Sequence, residues 1–443
     1  MNIVIFGLGF WGKEFYCFVD KSKVNVLAFA DNNTSLAGTM YEGIQVLSPA
    51  AACELQYDYI IITTQNDTFI NEIKNQLLGL RVDEKKMIPL YGNEGGYNND
   101  ILLELLNDQY ESRLGCHLFG YHFIFTGNRI MFCCVGAMFS KYITIEDEII
   151  TEDTLRRYIT IWVNTLEEHL EKLRQGIPNR CYGCPHLAQG IYSKKPIVRQ
   201  ILFGGGFKGA VCNASCIYCS QFKANCYKIN TTLDGHDILR IADEYFTETI
   251  THVGIVDAEI SVLPHRERLL DLVLEKNWDA NICSNAIIYN EKVAEILKRQ
   301  NSAFNVSLDS GTAETYHKIK QVNVFDKVVA NLEKYKSEGA RIFLKYILLD
   351  GINDNFDDIN GFIDIAKKIG VYQILLSFDP YDVVNYVEGK EEKSHDLSEH
   401  LYAMMCYFAA RCKEENISCA NVSESFTAKD KARMDILCGA IVG

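Results

Sequence analysis

The chain has 443 residues, of which 48% are hydrophobic and 23% charged, so we expect a folded protein with two or three domains. The formal net charge of -14 argues against a broad phosphate-binding surface, because nucleic-acid binding takes its affinity from clustered Lys and Arg. No apolar run reaches the roughly 18 residues that span a bilayer, and residues 1–12 predict a strand and turn rather than a signal peptide. We therefore predict a cytoplasmic protein that binds no nucleic acid and has no membrane span.

Residues 1–92 alternate short strand and helix patterns, which predicts a small parallel sheet with covering helices. A Gly-x-Gly-x-x-Gly segment follows the first predicted strand, and an aspartate ends the second. Glycines in that place permit a tight turn and let a phosphate approach the helix amino terminus. The candidate nucleotide contacts are Gly7, Gly9, Gly12 and Asp31.

The wider pattern, at 30–33, 38–39, 43–46, 48–49 and 57–62, resembles small Rossmann-like domains found on bacterial enzymes of surface-polysaccharide assembly. The resemblance implies a Rossmann-like domain over 1–92, and some of these domains bind nucleotide sugars. A domain this short lacks the second half of a dinucleotide site, so a nucleotide sugar fits better than NAD. The alternative is a docking domain whose glycine loop holds no ligand.

The rest of the chain divides into three predicted segments of an α/β protein. Residues 97–197 are irregular apart from an amphipathic helix at 152–174, and cysteines lie on both sides of it. Residues 198–380 repeat a strand and helix pattern, which predicts a partial (β/α)6 barrel with its chemistry at the carboxyl ends of the strands. Residues 381–443 predict a helical extension. The expected barrel strands are 200–203, 251–256, 278–283, 302–308, 341–348 and 372–378.

Cys212, Cys216 and Cys219 follow the first predicted barrel strand and a run of glycines. Three thiolates in a short loop can hold three irons of a 4Fe-4S cube and leave the fourth iron open to another ligand. A structural zinc site is the alternative. Zinc takes four ligands, often from paired Cys-x2-Cys hooks, whereas this loop supplies three at unequal spacing. The spacing therefore favours an iron–sulfur cluster.

The Cys-x3-Cys-x2-Cys loop, with Tyr218 before its last cysteine, resembles the hallmark of the radical S-adenosylmethionine (SAM) superfamily. The resemblance covers approximately residues 199–380. It implies that the open iron chelates the methionine part of SAM and that an electron from the cluster cleaves the sulfonium to release a 5'-deoxyadenosyl radical. A reductant such as flavodoxin or ferredoxin is the implied partner.

Segments at the ends of the later strands match the family in order. Asp257-Ala258-Glu259 stands where the family has Gly-Gly-Glu, so both glycines are replaced and the acid is kept. Residues 284–286, 307–311 and 345–354 follow at the next strand ends, although each segment could instead cap a helix. The resemblance implies SAM contacts from Tyr218, Ala258, Glu259, Asn285, Ser307, Asp309 and Lys345.

A second set of cysteines lies upstream of the barrel. Many radical SAM enzymes carry an auxiliary Fe-S cluster near the substrate, so the resemblance suggests a second cluster here, with Cys116 as a further ligand candidate. The alternatives are a zinc knuckle and buried thiols, since cysteine also packs as a small hydrophobe. The candidate ligands are Cys133, Cys134, Cys181 and Cys184.

Cys283 ends the third predicted strand and faces the region where a substrate radical would form. A thiol there could donate a hydrogen atom and invert a carbon centre, and a packed core cysteine is the alternative.

The predicted function is a radical SAM oxidoreductase that abstracts hydrogen from a sugar-like or nucleotide-linked substrate in surface-polysaccharide biosynthesis. Oxidation, epimerisation and dehydration are all open outcomes. A peptide-modifying radical SAM enzyme is the close alternative, because auxiliary clusters are common in that group. A NAD-dependent dehydrogenase and a non-catalytic Fe-S or zinc scaffold are further alternatives, but neither explains the strand-end segments.

Overall fold

The structure is a computed structural model, and it describes residues 1–64, 67–90, 100–116, 118–133, 142–179, 181, 184, 187–219, 229–256, 258–378 and 398–421. Cys134 and Asp257 lie outside these ranges. The chain divides into two compact units, Met1–Tyr121 with Ile161–Ile197 and His122–Thr160 with Val198–Gly443. Residues of the predicted segment 97–197 therefore occur in both units. Among the described residues, none of the helices combines the length and apolar character needed to cross a membrane.

The strands of the first unit are β1 (Asn2–Phe6), β2 (Asn25–Ala30), β3 (Met40–Tyr41), β4 (Ile44–Leu47), β5 (Tyr59–Ile62), β6 (Met87–Pro89), β7 (Tyr110–Gly115) and β11 (Ala188–Ser193). Its helices are α1 (Phe10–Phe18), α2 (Pro49–Cys53), α3 (Asp67–Gly79) and α4 (Asp100–Leu105). The helix α5 (Glu152–Arg174) has residues in both units and confirms the helix predicted at 152–174.

The first unit is built on a six-stranded sheet with the order β3-β4-β2-β1-β5-β6. All neighbouring strands are parallel except β3 and β4. The central strand β1 packs on both faces, with Ile3 and Ile5 in one apolar layer and Val4 and Phe6 in the other. Burial on both faces explains why this parallel strand is a continuous apolar run. A separate antiparallel pair is formed by β7 and β11.

The strands of the second unit are β8 (His122–Thr126), β9 (Arg129–Met131), β10 (Tyr142–Thr144), β12 (Gln200–Phe203), β13 (His252–Ile255), β14 (Asp279–Ser284), β15 (Ala303–Ser307), β16 (Ile342–Leu348), β17 (Gln373–Phe378) and β18 (Cys419–Asn421). Its other helices are α6 (Gly235–Phe246), α7 (Arg266–Glu275), α8 (Glu291–Leu297), α9 (Ala313–Lys320), α10 (Phe325–Ser337), α11 (Phe356–Ile369) and α12 (Glu399–Glu414).

These strands form one ten-stranded sheet in the order β10-β9-β8-β12-β13-β14-β15-β16-β17-β18. The six predicted barrel strands are confirmed, each to within one residue at either end. The parallel run also includes β8, which pairs with β12, and β18, which pairs with β17. Neither strand was predicted, and in the extension 381–443 the described residues are helical over α12 but end in the strand β18.

The two faces of this sheet differ in polarity. On one face, Tyr346 of β16 packs against Phe362 of α11 with ring centroids 4.8 Å apart, so this face is covered by helices. Residues of β16 alternate between the faces, as strand geometry requires. The register pairs Cys283 with Asn305 and Ser307 with Lys345 on the opposite face, where all four are partly buried. The face opposite the helices therefore carries a group of four polar side chains, and we call it the polar face.

Candidate active site

The cysteine loop, residues 204–219, begins directly after β12 and is held at the carboxyl edge of the sheet. Gly206 has a φ of 101°, and a Cβ atom there would lie 2.5 Å from the Cα of Gly127, so a larger residue does not fit. Further along, the Lys208 N–H donates to the Leu233 carbonyl at 2.7 Å. The Glu259 N–H donates to the Val211 carbonyl at 2.9 Å, which joins the loop to the end of β13.

The second half of the loop is attached to the last turn of α9. The Ser215 N–H donates to the Lys320 carbonyl at 3.1 Å, and the Ile217 N–H donates to the Ile319 carbonyl at 3.0 Å. These bonds use carbonyls that a helix leaves without an internal partner at its carboxyl end. The residues on either side of Cys216 are therefore fixed by backbone hydrogen bonds rather than by side chains.

The sulfur atoms of the three loop cysteines are not gathered at the spacing of a single metal ion. One tetrahedral zinc would bring its thiolate sulfurs to about 3.8 Å from one another, because Zn–S bonds are about 2.3 Å long. Among the described residues, no three cysteines bring their sulfur atoms within 4.8 Å of one another. All three cysteines, Cys212, Cys216 and Cys219, are partly buried. The ligands of a 4Fe-4S cube bind different iron atoms, so they lie farther apart than the ligands of one ion do.

Burial of the cysteine loop affects its thiols. It raises the pKa of the Cys212 thiol to about 11 and raises that of Cys216 as well. Without a metal these thiols therefore stay protonated at neutral pH, and metal binding releases their protons. The Asn285 side-chain amide donates to the Cys212 sulfur at 3.7 Å and to the Asn213 side-chain oxygen at 2.7 Å.

Tyr218 belongs to a buried polar cluster with Asp309 and Lys320. The Tyr218 hydroxyl donates to Asp309 Oδ2 at 2.5 Å, and the Lys320 ammonium donates to the Tyr218 hydroxyl at 2.5 Å and pairs with the same carboxylate oxygen. The other oxygen, Asp309 Oδ1, accepts from the Ile347 N–H at 2.8 Å. The Asn353 amide donates to the carbonyls of Asp309 and Ile347, each at 2.8 Å. This cluster anchors the aromatic residue that precedes Cys219.

Sequence reasoning missed Lys320. The residue lies in a Lys-Ile-Lys segment that resembles an exposed helix end, yet its side chain is only 1% exposed. Its position four residues after the aromatic Tyr316, on the same helical face, was the available signal. Asp309 was predicted to contact SAM, but its carboxylate accepts hydrogen bonds from Tyr218, Lys320 and the Ile347 N–H.

Glu259 joins the ends of two neighbouring strands. Its Oε1 accepts from the Ser261 N–H at 3.1 Å, from the Ser261 hydroxyl at 2.7 Å and from the Ser284 hydroxyl at 2.9 Å. Its Oε2 accepts from the Asn285 N–H at 2.7 Å. Burial raises the pKa of Glu259, and the hydrogen bonds from Asn285 and Ser261 oppose that rise. Through Asn285, this carboxyl group is connected to Cys212.

The chain takes a left-handed backbone conformation just after three successive parallel strands. Ala258 after β13, Ala286 after β14 and Asp309 after β15 have φ values of 62°, 56° and 59°. Non-glycine residues with such values are uncommon, and clusters of them are typical of functional sites. Ala258 thus keeps a glycine-like conformation at the position where the resembling family has glycine.

The remaining residues predicted to contact SAM lie on the polar face of the sheet. Ser307 and Lys345 are register partners on β15 and β16, and the Asp309 N–H donates to the Lys345 carbonyl at 3.2 Å. Cys283, the predicted hydrogen donor, lies on the same face one strand away. The structure therefore brings these predicted residues to one face, next to the strand ends.

The described cysteines among those predicted to hold an auxiliary cluster belong to both units. In the first unit, the Cys184 N–H donates to the Cys181 carbonyl at 3.0 Å, and the Cys116 sulfur accepts from the Leu118 N–H at 3.4 Å. Cys133 is buried in the second unit, and Cys134 lies outside the described residues. The auxiliary cluster stays a prediction.

The glycine segment of the first unit borders a cavity of about 250 Å³. Gly7 has a φ of 104°, and a Cβ atom on Gly12 would lie 1.8 Å from the Gly7 carbonyl oxygen, so both positions require glycine. Asp31 Oδ2 accepts from the Leu8 N–H at 2.8 Å, which fixes the segment against the end of β2. The cavity is lined by Phe6, Gly7, Gly9, Trp11, Gly12, Asp31, Asn32, Thr63, Thr64 and Ile73.

Two segments of the chain match known families. Residues 208–364, which contain the cysteine loop and the strand ends, match the radical SAM superfamily. Residues 1–88 match the family described as C2185-like, N-terminal. The second unit therefore carries a domain of the radical SAM superfamily of enzymes, as the cysteine spacing predicted. The cofactors of the superfamily are a 4Fe-4S cluster and SAM, and the donor set of the loop fits them.

Curated relatives of this chain include GTP 3',8-cyclases. That of Clostridium perfringens strain SM101 is 28% identical over 196 residues, covering 43% of this chain and 58% of the relative. That of Clostridium botulinum strain Okra is 25% identical over 196 residues, covering 43% of this chain and 59% of the relative. The chain thus spans less than two thirds of either relative. Among solved structures, SuiB of Streptococcus suis bound to its precursor peptide SuiA matches with a TM-score of 0.40 and 15% identity, covering 71% of this chain and 72% of SuiB.

Proposed function

We propose that this protein is a radical SAM enzyme whose cluster is held by Cys212, Cys216 and Cys219 and whose substrate is nucleotide-linked. One observation carries the proposal: the cysteine loop is tied by backbone hydrogen bonds to α9 and to the end of β13, at the carboxyl edge of a parallel sheet. This edge is where enzymes of this architecture assemble their active sites from loops.

When bound, the cluster and SAM supply one-electron cleavage of a sulfonium and abstraction of a hydrogen atom from the substrate. The protein positions and shields them. Asn285 and Glu259 connect the first cysteine to the ends of β13 and β14, while the Tyr218–Asp309–Lys320 cluster fixes the third. Because all of these groups are partly or fully buried, the site limits the access of water to a reactive radical.

Two observations support a polar, nucleotide-linked substrate. The sheet face next to the strand ends carries Cys283, Asn305, Ser307 and Lys345, which offer thiol, amide, hydroxyl and ammonium groups. Amides and hydroxyls bind sugar hydroxyls, and an ammonium binds a phosphate. The curated relatives are named for GTP, a nucleotide. A peptide substrate is the competing outcome of the test below.

The test of the substrate class is turnover that depends on the added molecule. Reduced, reconstituted protein is incubated anaerobically with SAM and with GTP, a uridine diphosphate sugar or a pool of short peptides. We expect a nucleotide to raise 5'-deoxyadenosine formation and to yield an altered nucleotide by mass spectrometry. If only peptides raise it, the substrate class proposed here is wrong.

We also propose that the C2185-like domain is Rossmann-like and binds the nucleotide part of a ligand at its glycine segment. Its parallel sheet places the segment after the central strand β1, beside Asp31 at the end of β2, which supports that assignment. Gly9 borders the cavity, and a Cβ atom there would meet nothing within 4 Å, so Gly9→Asp adds a charge without a clash.

Calorimetric titration with GTP and with a uridine diphosphate sugar tests this site. We expect Gly9→Asp to weaken binding of the nucleotide at least tenfold by repulsion of its phosphates. Gly79→Asp is the matched control, because a Cβ atom at Gly79 also meets nothing within 4 Å and Gly79 does not line the cavity. Equal nucleotide affinities for Gly9→Asp and Gly79→Asp would contradict the proposal.

A further inference from the structure

One face of α9 is directed at the cysteine loop. Residues three and four apart share a face of a helix, and Tyr316, Ile319 and Lys320 are all buried. Ile319 packs in an apolar cluster with Tyr218 and Cys216, and Lys320 donates to the Tyr218 hydroxyl at 2.5 Å. The Ile319 and Lys320 carbonyls also accept hydrogen bonds from the backbone of the loop. The last turn of α9 therefore contacts the loop through both side chains and backbone.

Tyr316, one turn earlier on that face, has an unusual hydroxyl group. Its side chain is only 1% exposed, and its hydroxyl has no hydrogen-bond partner among the described residues. Two other buried tyrosines differ in this respect: Tyr335 accepts from the Asn290 N–H at 2.9 Å, and Tyr346 donates to the Asn353 carbonyl at 2.6 Å. A buried hydroxyl without a partner lowers stability, so such a group calls for an explanation.

The ionisable groups that influence the Tyr316 hydroxyl belong to the candidate active site. The ionisable groups that act on it are, from the strongest, Cys216, Asp309, Glu259 and Cys212. Two of these are predicted cluster ligands, and the other two lie at the strand ends. Burial raises the pKa of Tyr316, so its phenol remains protonated and is a hydrogen-bond donor at neutral pH.

We propose that the Tyr316 hydroxyl donates a hydrogen bond to an anionic acceptor of the bound cofactors. The acceptor is either a sulfur of the cluster held by the cysteine loop or the carboxylate of SAM. The proposal rests on the proposed function, since it requires that the loop hold the cluster. The proposal explains why the buried Tyr316 hydroxyl, on the face of α9 that contacts the loop, has no acceptor among the described residues. Its acceptor belongs to the bound cluster or to SAM.

Tyr316→Phe tests the proposal because it removes only the oxygen atom. The first measurements are the iron and sulfide content of the reconstituted protein and the midpoint of thermal unfolding of the cluster-free protein. We expect neither to fall in Tyr316→Phe, because the hydroxyl has no protein partner to lose. The matched control is Tyr335→Phe, which removes a hydroxyl that the Asn290 N–H uses.

Two measurements on reconstituted protein then distinguish the two acceptors. If the acceptor is a cluster sulfur, the midpoint potential of the cluster without SAM becomes more negative in Tyr316→Phe, because hydrogen bonds to the sulfurs set that potential. If the acceptor is the SAM carboxylate, the potential is unchanged and equilibrium dialysis shows SAM binding weakened about tenfold, the loss expected for a hydrogen bond to a charged group.

In Tyr335→Phe we expect neither quantity to change. The inference is overturned if the potential and the SAM affinity of Tyr316→Phe both equal those of the wild type. That result differs from a failure of the proposed function, in which the wild-type protein itself binds no oxygen-sensitive cluster.

Discussion

Lys320 at the end of α9 forms an ion pair with Asp309 after β15, and both side chains are almost completely buried. A buried ion pair is strongly destabilised when one partner is removed, because the other charge is left without compensation. This pair also holds Tyr218 beside the third cysteine, so the packing of the helix and the geometry of the cysteine loop depend on the same contacts.

Lys320→Met leaves the Asp309 carboxylate buried without its cation. We expect the free energy of unfolding to fall by about 3–5 kcal/mol, measured by urea denaturation, and the iron content after reconstitution to fall with it. Lys318→Met is the control, since Lys318 lies on the same helix but pairs with Glu314 at the surface, where solvent screens the pair and its removal costs little stability. Equal losses in the two variants would contradict the role assigned to the buried pair.

Glu259 makes the stability depend on pH. Burial raises its pKa above the ordinary value of 4.5, so the folded state holds this proton more tightly than the unfolded state does. The stability that Glu259 contributes is therefore fully present below pH 4.5 and is lost as the pH rises through the folded-state pKa.

Glu259→Gln removes this titration. We expect Glu259→Gln to be destabilised relative to the wild type, because an amide nitrogen cannot accept the hydrogen bonds that the second carboxylate oxygen accepts. The difference in unfolding free energy between the wild type and Glu259→Gln should be smaller at about pH 7 than at about pH 5. Only the wild type is destabilised by ionisation of a buried carboxyl group as the pH rises. A difference independent of pH would be incompatible with the raised pKa.

Ala258→Gly should stabilise the protein. Ala258 has a φ of 62°, and a left-handed conformation costs a non-glycine residue about 1 kcal/mol that glycine does not incur. We expect the midpoint of thermal unfolding to rise. Ala280→Gly, in the buried strand β14 without a positive φ, is the control and should lower the midpoint. A lower midpoint in Ala258→Gly would show that the conformation at this position is not strained.

Cys283→Ser tests the assignment of Cys283 as a hydrogen donor, once a substrate is found. We expect SAM cleavage to continue, because Cys283 lies outside the cysteine loop, but the product should no longer acquire deuterium from heavy water, which exchanges with thiols. Mass spectrometry of the product measures this. Cys17→Ser, in the amino-terminal unit, is the control. Unchanged deuterium incorporation in Cys283→Ser would eliminate the donor role.

Local sequence pattern predicted the barrel strands well, because short runs rich in apolar residues, such as 342–348, recur between helical segments. The pattern could not predict that β8 extends the same sheet, because its pairing with β12 joins segments far apart in the chain. The cysteine loop was recognised from its spacing alone.

The partners of the site residues depended on packing and could not be read from the sequence. Lys318 and Lys320 are two residues apart, yet one is exposed and the other is buried beside Asp309, because only one of them lies on the helical face that contacts the loop. Likewise, nothing local indicates that the Asp309 carboxylate bonds to Tyr218 and to the Ile347 N–H.

The central claim is that Cys212, Cys216 and Cys219 hold a cluster that cleaves SAM. The most direct measurement is the formation of 5'-deoxyadenosine from SAM by reduced, reconstituted protein under anaerobic conditions, compared between the wild type and Cys216→Ala. We predict 5'-deoxyadenosine from the wild type and none above background from Cys216→Ala. No product from the wild type, or equal amounts from both proteins, would contradict the account.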